Sequence, residues 1–212
     1  APLFAMGATV VARAGGGSRW AAARRWLPRA VLVLLLAGGL PLDPFGLPLL
    51  PVERHVAYGR ALGLTVRAQE NTDEGPLPQV FADMFGWEDM VRRVARVYHS
   101  LPADERAKCA VFATNYGRAG AIDFFGPRHG LPPAISPHNN YWLWGPRGHT
   151  GEVVIIVGGS RDDAHADFRS AVLADTTSCE YCMPFENGVP IFVCRGLDKP
   201  LAERWRELKG YN

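Results

Sequence analysis

Residues 30–40 read AVLVLLLAGGL, an apolar run without a single charge. With Trp26-Leu27-Pro28 before it and Pro41–Leu50 after it, about 25 residues can lie in a bilayer, against roughly 20 needed to span one. A buried core helix is the other reading, but core helices of this length rarely lack charge. Proline is tolerated in membrane helices. Asp43 belongs at the far interface, because a carboxylate at the bilayer centre is costly. Trp26 and Phe45 suit the two interfacial belts.

The charge around this run orients it. Residues 1–52 hold Arg13, Arg19, Arg24, Arg25 and Arg29 against one acid, Asp43. A second apolar stretch, residues 1–12, precedes the arginines. A secretory signal would place its basic region first, and here the order is apolar, basic, apolar. The arginine-rich segment therefore reads as cytoplasmic. The expected organisation is the tail of a truncated transmembrane helix over 1–12 and a cytoplasmic loop over 13–25. A transmembrane helix over 26–50, an exit helix and linker over 51–78, and an extracytoplasmic domain over 79–212 follow. A ragged chain boundary with no structural meaning is the competing reading of residues 1–12.

The remainder has the composition of a folded domain. Hydrophobic residues make up 48% of the chain and charged residues 21%, which excludes wholesale disorder. A net charge of +2 gives no case for a nucleic-acid partner. Met90, Val91, Val94, Val97, Tyr98 and Leu101 recur at helical spacing, with Arg92, Arg93 and Arg96 on the opposite face. That basic face is either solvated or in contact with anionic headgroups. Strands are expected at Ala110–Ala113, Ala134–Ser136, Glu152–Val157, Ala171–Ala174 and Val189–Cys194. Helices are expected after the loop Thr114–Gly117 through Phe125, over Asp162–Phe168, and after Asp198 as a cap to about Leu208. The alternation predicts an α/β fold: a small, mostly parallel sheet flanked by helices and preceded by the transmembrane helix.

Ligands of open parallel sheets sit outside the carboxyl ends of the strands. Three loops leave strands there: Thr114–Gly117, Pro137–Trp144 and Gly158–Arg161. They would gather Asn115, Tyr116, His138, Asn139, Asn140, Tyr141, Trp142, Trp144 and Ser160 on one rim. Amides and hydroxyls supply directional hydrogen bonds, and aromatic faces supply flat apolar contact. That mixture suits a sugar or small polar headgroup. The alternative is that the tryptophans plug the domain and the amides only tie loops to backbone. Gly158-Gly159-Ser160 reads as a tight turn, with a phosphate cradle as the alternative.

Cys179-Glu-Tyr-Cys182 is a CxxC. Its readings are a disulfide or loop clip, free thiols, or a redox or metal role. The sequence Met183–Pro190 after it cannot form the helix a thioredoxin-like pair needs, and no second ligand pair has zinc spacing. Cys109 and Cys194 read as small core residues. No carboxylate couple, GxSxG or HExxH is present, so no self-sufficient active site, cofactor or metal is expected.

The blocks LPQVFADMFGWEDMV (77–91), NYGRAGAIDFFGP (115–127), SPHNNYWLWGP (136–146) and VPIFVCRGL (189–197) resemble the C-terminal part of bacterial glycosyltransferase family 39 proteins. These are polytopic relatives of the dolichyl-phosphate-mannose–protein mannosyltransferases. The resemblance implies a membrane glycosyltransferase of the GT-C type in the bacterial inner membrane, with its C-terminal domain periplasmic. It implies transfer of a sugar from a polyprenyl-phosphate donor to a glycan, lipid or protein acceptor. It places the catalytic acid in an upstream extracytoplasmic loop outside residues 1–212, so no catalytic residue carries over. CEYC departs from the family's pattern. The competing reading is a single-span, anchored extracytoplasmic binding or assembly module without catalysis.

Overall fold

The computed structural model describes residues 20–63 and 75–210, with side chains from Trp26 onward. The expected membrane tail at 1–12, Arg13 and Arg19 lie outside the described residues. The chain divides into two compact units at Thr65/Val66.

The first unit is a long helix and a short one. Helix α1 spans Trp20–Gly46 and contains Pro28, Pro41 and Pro44. Its Trp26–Gly46 portion has a mean hydropathy of 1.4 and is long and apolar enough to cross a membrane. The helix begins upstream of that portion, whose start at Trp26 is the expected one. Trp20–Arg25 continue the helix upstream instead of forming a loop, consistent with the strong helix propensity of the alanines and arginines there. Proline cannot donate to the helix ladder, so Pro41 and Pro44 free carbonyls one turn back. Helix α2, Val52–Ala61, folds back onto this weakened end. Tyr58 donates its hydroxyl to the Pro41 carbonyl at 2.7 Å. His55 is buried and stacks on Phe45 at 5.6 Å. Gly63, with φ +66, stops the segment in a left-handed turn.

The second unit is a four-stranded sheet with helices on both faces. After the short helix α3 (Gln79–Ala82), the order is α4 (Trp87–Ser100), α5 (Ala103–Arg106), β1 (Cys109–Ala113), α6 (Tyr116–Phe125) and β2 (Val153–Val157). Then come α7 (Arg161–Asp167), β3 (Phe168–Thr176), β4 (Pro190–Leu197) and α8 (Leu201–Glu207). Three 3₁₀ turns, Gly126–His129, Asn139–Trp144 and Pro184–Glu186, complete it.

The α/β class is as expected, but the sheet is mixed. Its order is β1-β2-β4-β3. β1 and β2 are parallel, whereas β4 runs antiparallel to both β2 and β3. A parallel return needs a crossover of a dozen residues or more, usually a helix. The β3–β4 connection holds Pro184 and Gly188 and offers only one 3₁₀ turn, so the chain comes straight back. Ala134–Ser136 forms no full strand. Ile135 alone bridges the free edge of β1, exchanging backbone hydrogen bonds with Val111 and Ala113 at 2.9 Å.

Alternation along each strand divides the core. Val111, Ala113, Ile155, Val157, Ile191 and Val193 face the layer containing Met90, Val91, Val94 and Ile122 of α4 and α6. Ala110, Val154, Phe192 and Cys194 face the layer of Ala164, Leu201 and Trp205 from α7 and α8. Both faces are covered, which is why β2 reads as one continuous apolar run. Asp198 does not cap α8; Pro200 holds the N-cap position without a side-chain bond.

Candidate functional site

β1, β2 and the Ile135 bridge run in the same direction. The loops that follow them therefore leave from one edge of the sheet, as the sequence predicts. The side chains do not form one continuous rim, however, and they sort into three groups.

Asn115 and Ser160 are structural. Asn115 caps α6, accepting from the Arg118 amide at 2.8 Å and donating to Glu186 at 3.0 Å. Ser160 forms a capping box at α7: its hydroxyl accepts from the Asp163 amide at 3.1 Å and donates to the Asp163 carboxylate at 2.6 Å. These bonds satisfy helix-start donors that otherwise lack partners. Gly158 makes room for more than a turn. A Cβ there would lie 2.2 Å from Arg118 Nη1 and 2.3 Å from Thr114 Oγ1. The Gly158 position is thus occupied by a buried guanidinium rather than open to a phosphate.

That guanidinium is the centre of a clamp that sequence reasoning missed. Arg118 donates to Glu186 at 2.7 Å, to Thr114 Oγ1 at 2.7 Å and to the Phe185 carbonyl at 3.0 Å. The paired side chains are 9% and 8% exposed. It fastens the Thr177–Val189 loop, which carries the CxxC, to the start of α6. Of the readings open for the CxxC, the structure has Cys179 and Cys182 as free thiols. The Cys182 amide donates to Cys179 Sγ at 3.1 Å and the Cys182 thiol donates to the Cys179 carbonyl at 3.4 Å. Burial, reinforced by the Cys179 contact, pushes the Cys182 thiol up to about 12. Burial also raises Cys109 to about 11 and Cys194 to about 12. High thiol pKa values leave little thiolate for exchange or metal ligation. Among the described residues no cluster of His, Cys, Asp and Glu is arranged to hold a metal.

Trp142 turns away from the rim. It packs in the α7/α8 layer, where its indole N–H donates to the Trp205 carbonyl at 2.9 Å. Trp205 returns the bond to the Trp142 carbonyl at 3.0 Å. Asn139 adopts φ +53, tolerable for asparagine, and its amide donates to the Gly210 carbonyl at 3.0 Å. Asn140 is exposed.

The accessible remainder is aromatic. Tyr116 and His138 lie 5.1 Å apart, and the Tyr116 amide donates to His138 Nδ1 at 3.4 Å. Nearby in sequence, Tyr141 and Trp144 meet edge to face at 4.5 Å, with Trp144 57% exposed. The Arg147 guanidinium covers the Trp144 ring at 5.2 Å. Asp123 ties this group together. It accepts from the Tyr141 hydroxyl at 3.2 Å, from Arg147 at 3.3 Å and from the Ala134 amide at 2.7 Å. Burial, then the charge and hydrogen bond of Asp123, raise Tyr141 to about 12, so it remains a neutral donor. Asp123 and Arg147 line a hollow of about 400 Å³ together with Ile122, Leu131 and the prolines 127, 132 and 133. The carboxylate and guanidinium at the hollow supply acceptors and donors, and the exposed indole against Arg147 adds a flat face beside them. Asp123 was detectable as the lone charge within the apolar stretch GAIDFF, and Arg147 as the cation in the turn after the tryptophans.

A second cavity, of about 170 Å³, lies on the opposite face of the sheet beneath Gly158–Ser160, between α7 and α8. Its wall is mainly apolar, with Phe112, Val154, Ile156, Phe168, Leu201 and Leu208, and Asp163, Asp167 and Arg204 also line it. Comparison with protein-family models, curated proteins and solved structures gives no match for this chain.

Proposed function

We propose that this chain is the C-terminal part of an integral-membrane glycosyltransferase using a polyprenyl-phosphate sugar donor, with its second unit extracytoplasmic and assisting substrate binding. One observation carries the reading: Asp123 and Arg147 line a hollow, and Tyr141 and Trp144 join them in one cluster of ionic, hydroxyl and aromatic groups. Sugars are recognised by that combination, since their ring faces stack on aromatics while their hydroxyls pair with carboxylates and guanidinium groups. The apolar span in the first unit and the four sequence blocks resembling glycosyltransferase family 39 support the membrane enzyme class.

The test is transfer by the complete membrane protein carrying Trp144→Ala or Arg147→Ala, scored beside its thermal stability. Each is expected to lower kcat/KM by about five- to ten-fold, the scale of one lost aromatic or polar contact. Wild-type transfer by a folded Trp144→Ala protein would sink the assignment of this cluster to substrate. Glycan binding without any transfer would instead identify an anchored binding module.

A further inference from the structure

Helix α4 and the Gly126–His129 turn enclose a shallow groove of about 660 Å³ on the exterior of the second unit. Arg92, Arg96 and Arg128 line it with His99, His129 and Ser100, and no carboxylate is part of its wall. His99 Nε2 donates to the His129 carbonyl at 2.7 Å, which fixes the two sides against each other. Arg92 and Arg96 lean on Glu88, Asp89 and Asp175 outside the groove. Those arginines are more than half exposed, so the pairs are weak and exchangeable. Arg128 forms no ion pair among the described residues. It sits over the rings of Phe124 and Phe125 at 6.0 and 5.5 Å. Phe124 is 69% exposed beside it.

We propose that this groove is a docking surface for a bilayer bearing anionic phospholipids, with Arg92, Arg96 and Arg128 meeting headgroup phosphates and Phe124 entering the interface. The proposal rests on the anchored reading of Trp26–Gly46. A domain tethered to a bilayer by its own chain meets headgroups at high effective concentration. Guanidinium forks match phosphate oxygens in charge and geometry. An exposed aromatic next to basic residues is the composition of a membrane-interface contact.

The full chain is reconstituted in nanodiscs of phosphatidylcholine alone or with about one third phosphatidylglycerol, an admixture chosen only to supply charge. Modification of each arginine by a neutral dicarbonyl reagent is followed by mass spectrometry. Arg128 is expected to react about five-fold more slowly in the anionic discs, with the protection lost at high salt. Exposed Arg161, outside the groove, serves as the reference and is expected to react equally in both. The variant R92Q/R96Q is expected to restore the neutral-disc rate at Arg128. Equal Arg128 rates in the two discs overturn the proposal. So does protection by added inorganic phosphate in neutral discs, which would reveal a soluble-anion site. Co-elution with the discs reports the anchor separately. A chain that elutes free of them overturns the anchor, and the proposal with it.

Discussion

Gly158 and Gly159 both adopt left-handed backbone, at φ +98 and +77, yet only Gly158 faces an occupied volume. Gly158→Ala must displace Arg118 and Thr114 besides straining the backbone. We expect a loss of about 2–4 kcal/mol in chemical denaturation. Gly159→Ala meets Thr114 at an ordinary 3.6 Å, so it should lose only the left-handed penalty, about 1 kcal/mol. Equal losses would show that the guanidinium does not constrain the turn. Tyr141 gives a second residue-level prediction. Its hydroxyl is raised from 10.0 to about 12 in the folded state. The stabilisation linked to this shift is therefore complete below about pH 10 and is lost as pH climbs towards 12. Burial raises Tyr98 as well, so ultraviolet titration should lose one late-ionising tyrosine in Tyr141→Phe, and Asp123→Asn, which removes the neighbouring negative charge, should shift that same step to lower pH. The residue scale was the least legible in the sequence. Trp142 and Trp144 are two positions apart in one motif, yet one is half-buried against Trp205 and the other is exposed. A 3₁₀ turn decides which way each points, and 3₁₀ geometry leaves no periodicity in so short a stretch.

At the scale of elements, α4 was readable because its apolar spacing is regular and long. Its basic face was only partly so. Arg93 is not simply solvated: it donates to Asp89 at 2.7 Å and to Asp175 of β3 at 3.2 Å. The hydrogen bond from Arg93 holds the Asp89 carboxyl below its ordinary range. β3 lies far from α4 in sequence, and no local pattern announces such a partner. The loop joining β3 to β4 depends on the same kind of distant contact. Glu186→Ala leaves Arg118 buried without its carboxylate and should cost about 3–5 kcal/mol. Limited proteolysis should then cut within Thr177–Val189 at rates where the parent resists. Glu186→Gln, which keeps an acceptor oxygen for Arg118, should cost less. If alanine and glutamine behave alike and both are mild, the clamp contributes little. The antiparallel return of β4 could have been foreseen from this loop, because a segment unable to form a helix cannot supply a parallel crossover.

At the scale of the molecule, the strand–helix alternation gave the class while the direction of β4 escaped it. The apolar span was legible because residues 30–42 carry no charge and the helix around them is long enough for a bilayer. It carries a direct prediction: the chain should resist alkaline carbonate extraction from membranes. Arginine in place of both Leu34 and Leu35, near the middle of α1, should release it. Each substitution costs roughly 2.5–3.5 kcal/mol of insertion. Unchanged extraction of the double variant would assign α1 to something other than a membrane. The order β1-β2-β4-β3 has one more consequence, for how the domain comes into being. β4 is made after its two neighbours but fits between them. Until it leaves the ribosome, β2 and β3 each present a bare hydrogen-bonding edge lined by apolar side chains, a template for pairing with other chains. A message cut short between the codons for Thr176 and Leu197 would therefore yield not a smaller domain but a sticky, unclosed product. Its disposal would fall to the cell's quality-control proteases.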